Sequence, residues 1–321
     1  MPGFIVVADR RVFAVMSFLN IAGFDKEVPG KAMHPVRAKV RDMLTANLRE
    51  HLEKVAAWRK LYADSHLQSF HYLDFALSLT PDYPFRRAYE DRELGYPATA
   101  GRLRGFPDIL NDFWATASVE KVWDAVKPDY LAELRKYDLQ RMAADLALTW
   151  KYLRQPRSDS FVLVNVPNLL DSYYHAIGAQ YDPYYYSVES PGAGSYSLNV
   201  HEYLHHFVNP LVEANFGRQR SKLHGYYDAG RRGPMARSYQ NDVTFVYECL
   251  VRALDSRIEA QMTDDTTVKA NVEKRVARET REGLTLVNPF FLLLAQFEES
   301  GQRFDRFLPV LLDKLPALPA K

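Results

Sequence analysis

The chain has 321 residues, of which 47% are hydrophobic and 25% charged. This composition is typical of a soluble globular protein with one large domain or two smaller ones. The formal net charge is +1, which excludes proteins that bind nucleic acid or anionic membranes through a strongly basic overall charge. Cys249 is the only cysteine, so an intramolecular disulfide is excluded and packing must stabilise the fold.

The sequence predicts neither a signal peptide nor a membrane span. Residues 1–4 lack a basic region and a cleavage site. The most apolar stretch, 290–297, is far shorter than the roughly 18 residues that a membrane-spanning helix needs, and it predicts a core helix instead. The compartment stays open, export included, because exported bacterial proteins often lack disulfides. The oligomeric state is also left open.

The first 150 residues predict one strand followed by helices. An apolar run at 4–8 predicts the strand, and the apolar stretch at 12–21 predicts a buried helix. Between residues 35 and 60, apolar residues recur at steps of three and four, which is typical of an amphipathic helix. Further helices are predicted at 65–78, 107–117, 118–126 and 130–153.

A polar turn cluster at 155–160 separates two regions of different character. It predicts a helical N-terminal region over 1–156 and a second domain over 157–321. The second domain begins with predicted strands at 161–166 and 183–188. The fold class predicted is therefore α+β and mostly α-helical.

The rest of the second domain is predicted to be helical. A loop at 190–194 precedes a helix that begins near 197 and is interrupted at Asn209-Pro210, because the residue before a proline is disfavoured in a helix. A segment rich in glycine and arginine follows at 217–237. The remaining helices are predicted at 241–261, 268–283 and 289–314.

A histidine pair lies in the predicted helix near 197. His201 and His205 are four residues apart, so a helix brings both imidazoles to one face, where they can bind one metal ion. Glu202 is the only charged residue from 198 to 211. It is rotated away from that face and suits a general base acting on a metal-bound water. This HExxH sequence predicts a zinc-dependent hydrolase.

The histidine pair has two other interpretations. In the first, His201 and His205 are core histidines whose nitrogens are satisfied by hydrogen bonds, although two histidines and a glutamate are costly to bury without a metal. In the second, Glu202 and His205 form half of a di-iron site. Such a site needs a second ExxH pair on another helix, and the sequence offers none.

A zinc site needs a third protein ligand. Val208 and Leu211 stand where metzincins need glycine and histidine, so that class is excluded. Glu248 is the strongest candidate because it is the only charge in the apolar run 243–251, and a buried carboxylate needs a cation or a metal. The alternative is an ion pair with Arg252, four residues on. Weaker candidates are Asp242, Asp255, Glu213 and His224.

Two stretches together resemble the gluzincin-type zinc metallopeptidases: 201–210, HEYLHHFVNP, and 248–253, ECLVRA. They resemble more closely a poorly characterised bacterial family of metallopeptidase-like proteins, known as a domain of unknown function, in which the histidine helix runs into Phe-Val-Asn-Pro. The resemblance is strong over about 155–260 and only architectural over the first 150 residues.

The resemblance implies a zincin-like catalytic core, which consists of a small sheet and the active-site helix. It also implies zinc bound by His201, His205 and Glu248. The chain departs from the pattern at Arg252, where thermolysin-like enzymes carry an aspartate that supports a ligand histidine. Asp255, one turn further along, is the candidate for that supporting role.

The predicted activity is cleavage of amide bonds in a peptide or protein substrate, with Glu202 as general base toward a zinc-activated water. A second group must stabilise the oxyanion, and Tyr239 and His224, which flank the Gly/Arg-rich segment, are the candidates. The strand at 184–188 is the predicted sheet edge for an extended substrate.

Two questions about this activity stay open at the level of sequence. The basic residues of the Gly/Arg-rich segment indicate either a preference for acidic substrates or a solvated loop. The competing function is a catalytically silent module that keeps a zincin fold for binding or regulation. The intact Glu202 argues against it, because a silent scaffold needs no base.

Overall fold

The structure of the protein is a computed structural model. It describes residues 3–94, 100–155, 162–192, 196–239 and 241–318. Within these ranges the chain is mostly helical and contains one small mixed sheet, which confirms the α+β class. No described helix is long and apolar enough to cross a membrane.

Contacts group the chain into two compact units: Met1–Leu139 with Asp159–Ser195, and Gln140–Ser158 with Tyr196–Lys321. The predicted boundary between 156 and 157 lies outside the described residues, as do part of the predicted loop at 190–194 and the last three residues. The grouping does not follow that single boundary, because it assigns the strands beyond residue 161 to the first unit.

The first unit is built around its first helix. It contains β1 (Gly3–Val6), α1 (Arg10–Ala22), α2 (Pro35–Asn47), α3 (Leu52–Ser65), α4 (Ser69–Leu77), α5 (Phe106–Thr116) and α6 (Val119–Leu134). α1 is buried from its second residue to its last, as the apolar run predicts. The Asp9 carboxylate caps its first backbone N–H groups, and Gly23 ends it at φ 110°. α1 packs against α2, α3 and α4.

The sheet of the first unit also contains β2 (Val162–Pro167), β3 (Ala176–Tyr181) and β4 (Tyr184–Glu189). The order is β1-β2-β4-β3, with β3 antiparallel to β4 and the other neighbours parallel. The prediction that 184–188 is a sheet edge is wrong, because β3 covers that side of β4. The sequence of β3 lacks a continuous apolar run and was not predicted as a strand.

The described residues of the second unit form helices joined by turns and loops, without a strand. It contains nearly all of α7 (Leu139–Leu153), then α8 (Tyr196–Phe216), α9 (Arg220–Gly230), α10 (Asp242–Gln261), α11 (Thr266–Arg281), α12 (Val287–Ser300) and α13 (Phe304–Lys314). α8 and α10 pack along each other, and α10 also packs against α12. Their shared core is apolar and includes Leu204 and Val208 of α8.

Several helix boundaries differ from the predictions. α8 continues through Pro210 and α6 through Pro128, so the breaks predicted there are wrong. An interior proline removes one helical hydrogen bond and crowds the carbonyl four residues before it, at a cost of about 3 kcal/mol. The buried residues on either side of Pro210, such as Val208 and Val212, stabilise the continuous helix against that cost. The helix predicted over 289–314 is instead divided at Gly301, whose φ is 67°.

Two glycines of the Gly/Arg-rich segment are required by close contacts with another part of the backbone. A Cβ atom on Gly230 would lie 2.0 Å from the carbonyl oxygen of Gly283, and one on Gly233 would lie 2.3 Å from that of Glu282. The Met235 N–H donates to the same Glu282 carbonyl at 3.1 Å. These contacts fix the turn that leads to Tyr239.

Candidate metal site

His201, His205 and Glu248 come together at the packing surface of α8 and α10. The Nε2 atoms of the two histidines are 3.2 Å apart. Glu248 Oε1 lies 3.8 Å from Nε2 of His201, and Glu248 Oε2 lies 3.5 Å from Nε2 of His205. The structure thus brings together the three residues expected to hold zinc, and their potential ligand atoms lie within 4.8 Å of one another.

Glu248 faces both the histidines and Arg252, the predicted alternative partner. Its Oε1 atom accepts a hydrogen bond from Nε of Arg252, while Oε2 faces His205. The sequence predicts the ion pair and the histidine cluster as alternatives, but the carboxylate has two oxygens and contacts both Arg252 and the histidines. Glu248 is 7% exposed, and Arg252 offsets the cost of burying its charge.

Arg252 is itself held by a second carboxylate. Its Nη1 donates to Oε1 of Glu279 on α11 at 2.9 Å, and Glu279 is almost completely buried. A Glu279–Arg252–Glu248 chain therefore links α11 to the histidine cluster. Sequence reasoning missed Glu279, because nothing in the local pattern of α11 indicates which α10 residue it contacts.

The electrostatics of the cluster favour neutral imidazole at His201 and a charged carboxylate at Glu248. Burial lowers the pKa of His201 to about 3. Burial works against ionisation of Glu248, but the two histidines and Arg252 hold its pKa well below its usual range. For His205, burial is outweighed by its hydrogen bond to Glu248 and by the negative charges of Glu248 and Glu202, which raise its pKa.

Glu202 lies next to this cluster on α8. It is 7% exposed, and its negative charge contributes to the raised pKa of His205. The residue that follows it, Tyr203, points elsewhere: its hydroxyl accepts a hydrogen bond from the Trp150 indole. Glu202 is thus a buried carboxylate whose charge acts on the histidine cluster, and it is not one of the three clustered ligand residues.

Tyr239 and His224, both predicted to stabilise an oxyanion, have different surroundings. Burial and the neighbouring Glu248 carboxylate raise the pKa of the Tyr239 hydroxyl, which stays protonated near neutral pH. The two ring nitrogens of His224 instead face Asp228 at 3.3 Å and Asp242 at 3.0 Å. The structure therefore places Tyr239 beside the cluster. The two ring nitrogens of His224 are paired with carboxylates instead.

The far nitrogen of His205 contacts Asn209, a residue that was not among the predicted site residues. Nδ1 of His205 lies 3.2 Å from Oδ1 of Asn209, one turn along α8. Asp255, which was expected to support a histidine, lies among Arg252, Arg275 and other charged groups, and burial raises its pKa to about 7. The i+4 spacing of His205 and Asn209 was available in the sequence and could have indicated this contact.

The donor set fits a zinc ion. Zinc prefers imidazole nitrogen at about 2.0–2.1 Å and carboxylate oxygen at about 2.0–2.2 Å in tetrahedral geometry, which separates ligand atoms by about 3.3–3.6 Å. The two Nε2 atoms are 3.2 Å apart, and the two Glu248 oxygens lie 3.5 Å from His205 and 3.8 Å from His201, which is close to this range. Three protein ligands leave the fourth position open, as in catalytic zinc sites.

Comparisons of the chain with protein-family models, with curated proteins and with solved structures find no significant match.

Proposed function

We propose that the chain is a zinc-dependent hydrolase that cleaves amide bonds in peptides or proteins and has a zincin-like core. The observation that supports this most directly is the convergence of two histidine Nε2 atoms and the Glu248 carboxylate from two packed helices. Glu202 adds a buried carboxylate on the turn that carries the histidines. A metal-binding role alone would not need it.

In this proposal zinc is held by His201, His205 and Glu248, and when bound it activates water and polarises the scissile carbonyl. Glu202 accepts the proton of the attacking water and returns it to the leaving amine. The Tyr239 hydroxyl stays protonated, so it can donate a hydrogen bond to the developing oxyanion. Arg252 keeps Glu248 ionised and oriented.

The test is digestion of unfolded casein by the zinc-loaded protein and by Glu202→Gln. The variant should keep its zinc and its helical content, and hydrolysis should fall by about 10²–10⁴-fold, because only the proton acceptor is lost. Glu213→Gln is the matched control. It replaces an exposed glutamate of the same helix, whose carboxylate accepts a hydrogen bond from Tyr247, and it should leave hydrolysis unchanged.

Two results would count against the proposal. Undiminished turnover in Glu202→Gln would show that Glu202 is not the base. A zinc-loaded wild-type protein that cleaves neither casein nor a mixed peptide library would favour the catalytically silent module.

A further inference from the structure

Asn209 occupies a particular place on α8. It lies one turn beyond His205, and its side-chain oxygen faces the ring nitrogen of His205 that points away from Glu248. We propose that Asn209 is a positioning residue that holds the His205 ring with Nε2 directed at the metal. This inference rests on the proposed metal site, but it does not depend on hydrolysis.

The protonation of the imidazole supports this role. A neutral imidazole carries its proton on one nitrogen and binds a metal through the other. Nε2 of His205 is the atom that lies 3.2 Å from Nε2 of His201 and 3.5 Å from the Glu248 carboxylate. The proton of the metal-binding form is therefore on Nδ1, where it needs an acceptor. Oδ1 of Asn209 provides that acceptor at 3.2 Å.

The continuity of α8 is what makes the contact possible. Side chains four residues apart lie on one face only while the helix persists, and α8 persists through Pro210. Val208 and Val212 are fully buried on either side, and their packing holds this turn in place. Had the helix ended before Pro210, Asn209 would not be held on the face that carries His205.

A second asparagine of the same helix shows the contrast. The amide of Asn215 donates to the Leu211 carbonyl at 2.8 Å, a local bond to the helix backbone. Asn209 instead offers its oxygen to a side chain of the metal cluster. Both residues are half-buried, so Asn215→Ala is a matched control for the loss of an asparagine from α8.

The proposal is tested by measuring the zinc dissociation constant against a chromophoric chelator, together with the absorption spectrum of the cobalt-substituted protein. Asn209→Ala should raise the dissociation constant about 10–100-fold, the range for losing the partner of a ligand histidine. Asn209→Asp restores an acceptor with a full negative charge, so it should bind zinc at least as tightly as the wild type. Asn215→Ala should match the wild type in affinity and spectrum.

Three results would overturn the proposal: wild-type zinc affinity in Asn209→Ala, an equal loss in Asn215→Ala, or weaker binding in Asn209→Asp. If Asn209→Ala does not fold, as judged by circular dichroism, the zinc affinity of Asn209→Asp still tests the proposal, because binding weaker than in the wild type would contradict it. These readouts use no substrate. A wild-type protein that binds zinc but hydrolyses nothing would refute the proposed function and leave the role of Asn209 standing.

Discussion

Arg37 in the first unit and Glu248 in the second are both buried charged groups, but their neighbours differ in kind. Arg37 is completely buried, and each nitrogen of its guanidinium donates to an acceptor: Nε to Asn20 at 2.6 Å, Nη1 to Glu27 and a backbone carbonyl, and Nη2 to a second carbonyl. Glu248 has one oxygen on Arg252, while the other faces a histidine nitrogen.

The difference shows how a structural polar group can be told from a ligand site. Around Arg37 every guanidinium nitrogen meets an acceptor, so the group is satisfied within the fold and its role is to connect α2 to the chain before it. Around Glu248, two histidine nitrogens and a carboxylate oxygen lie close together, and once the proton that His205 shares with Glu248 is released all three atoms can bind a metal ion. Acceptors that converge are stabilised by a cation between them.

The largest expected effect is on metal binding. His201→Ala and His205→Ala should each lose zinc, because two remaining ligands bind it poorly. Zinc bound per chain after dialysis is the measurement. His206→Ala, which removes the neighbouring histidine of α8, is the control and should keep its zinc. Zinc retained by both His201→Ala and His205→Ala would place the metal elsewhere.

The second effect should be confined to stability. Arg37→Ala leaves Glu27 and two carbonyls without their partner, and breaking a buried ion pair costs about 3–5 kcal/mol of unfolding free energy. We expect the lower end, since the Glu27 side chain is 25% exposed. Urea unfolding measures the loss, and Arg49→Ala, an exposed arginine, is the control. Weakened zinc binding in Arg37→Ala with unchanged stability would contradict the comparison.

The third effect concerns Arg252, which takes part both in a buried ion pair and in the candidate metal site. Arg252 satisfies Glu248 as an ion pair and also orients it toward the histidines. Arg252→Leu should therefore raise the zinc dissociation constant about 10–100-fold. Arg252→Lys keeps the charge but loses the planar pair of donors, so its zinc affinity should lie between those of the wild type and Arg252→Leu. Competition with a chelator gives both values, and unchanged affinity in Arg252→Leu would mean that Arg252 does not position Glu248.

The smallest effect concerns pH. The pKa of Asp255 is raised to about 7 in the folded protein, chiefly by burial, so between about pH 4 and pH 7 the folded chain holds a proton that the unfolded chain has released. Ionisation of Asp255 therefore lowers stability as pH rises through this window. Asp255→Asn should remove that slope and be more stable than wild type above pH 7.

Urea unfolding of wild type and Asp255→Asn at pH 5 and pH 8 measures this difference. The same variant separates two roles for Asp255. Zinc affinity should be unchanged in Asp255→Asn, because Asn209 contacts the far nitrogen of His205. A weakened zinc site would instead support the predicted role of Asp255 beside a ligand histidine.

Local patterns predicted most of the helices and the three cluster residues. The spacing of His201 and His205, and the lone charge of Glu248 in an apolar run, are properties of one helix each and need no knowledge of packing. The continuous helix through Pro210 could not be predicted in this way. It depends on the burial of Val208 and Val212 against other helices, which outweighs the lost hydrogen bond and the steric cost of the proline.

Contacts between segments that are distant along the chain could not be predicted from the sequence either. β3 pairs with β4 although its sequence lacks an apolar run, because strand pairing adds stability that a single segment does not reveal. Glu279 reaches Arg252 across 27 residues, and Tyr239 reaches Glu248 through a turn fixed by Gly230 and Gly233. These arrangements depend on tertiary packing.

The central claim is that His201, His205 and Glu248 form one zinc site. X-ray absorption at the zinc edge, on wild-type protein refolded with excess zinc and dialysed, tests it most directly. We expect about one zinc per chain, with two imidazole nitrogens at about 2.0–2.1 Å and carboxylate or water oxygen at about 2.0–2.2 Å. Protein that retains no zinc, or zinc whose spectrum shows only oxygen neighbours, would contradict the claim.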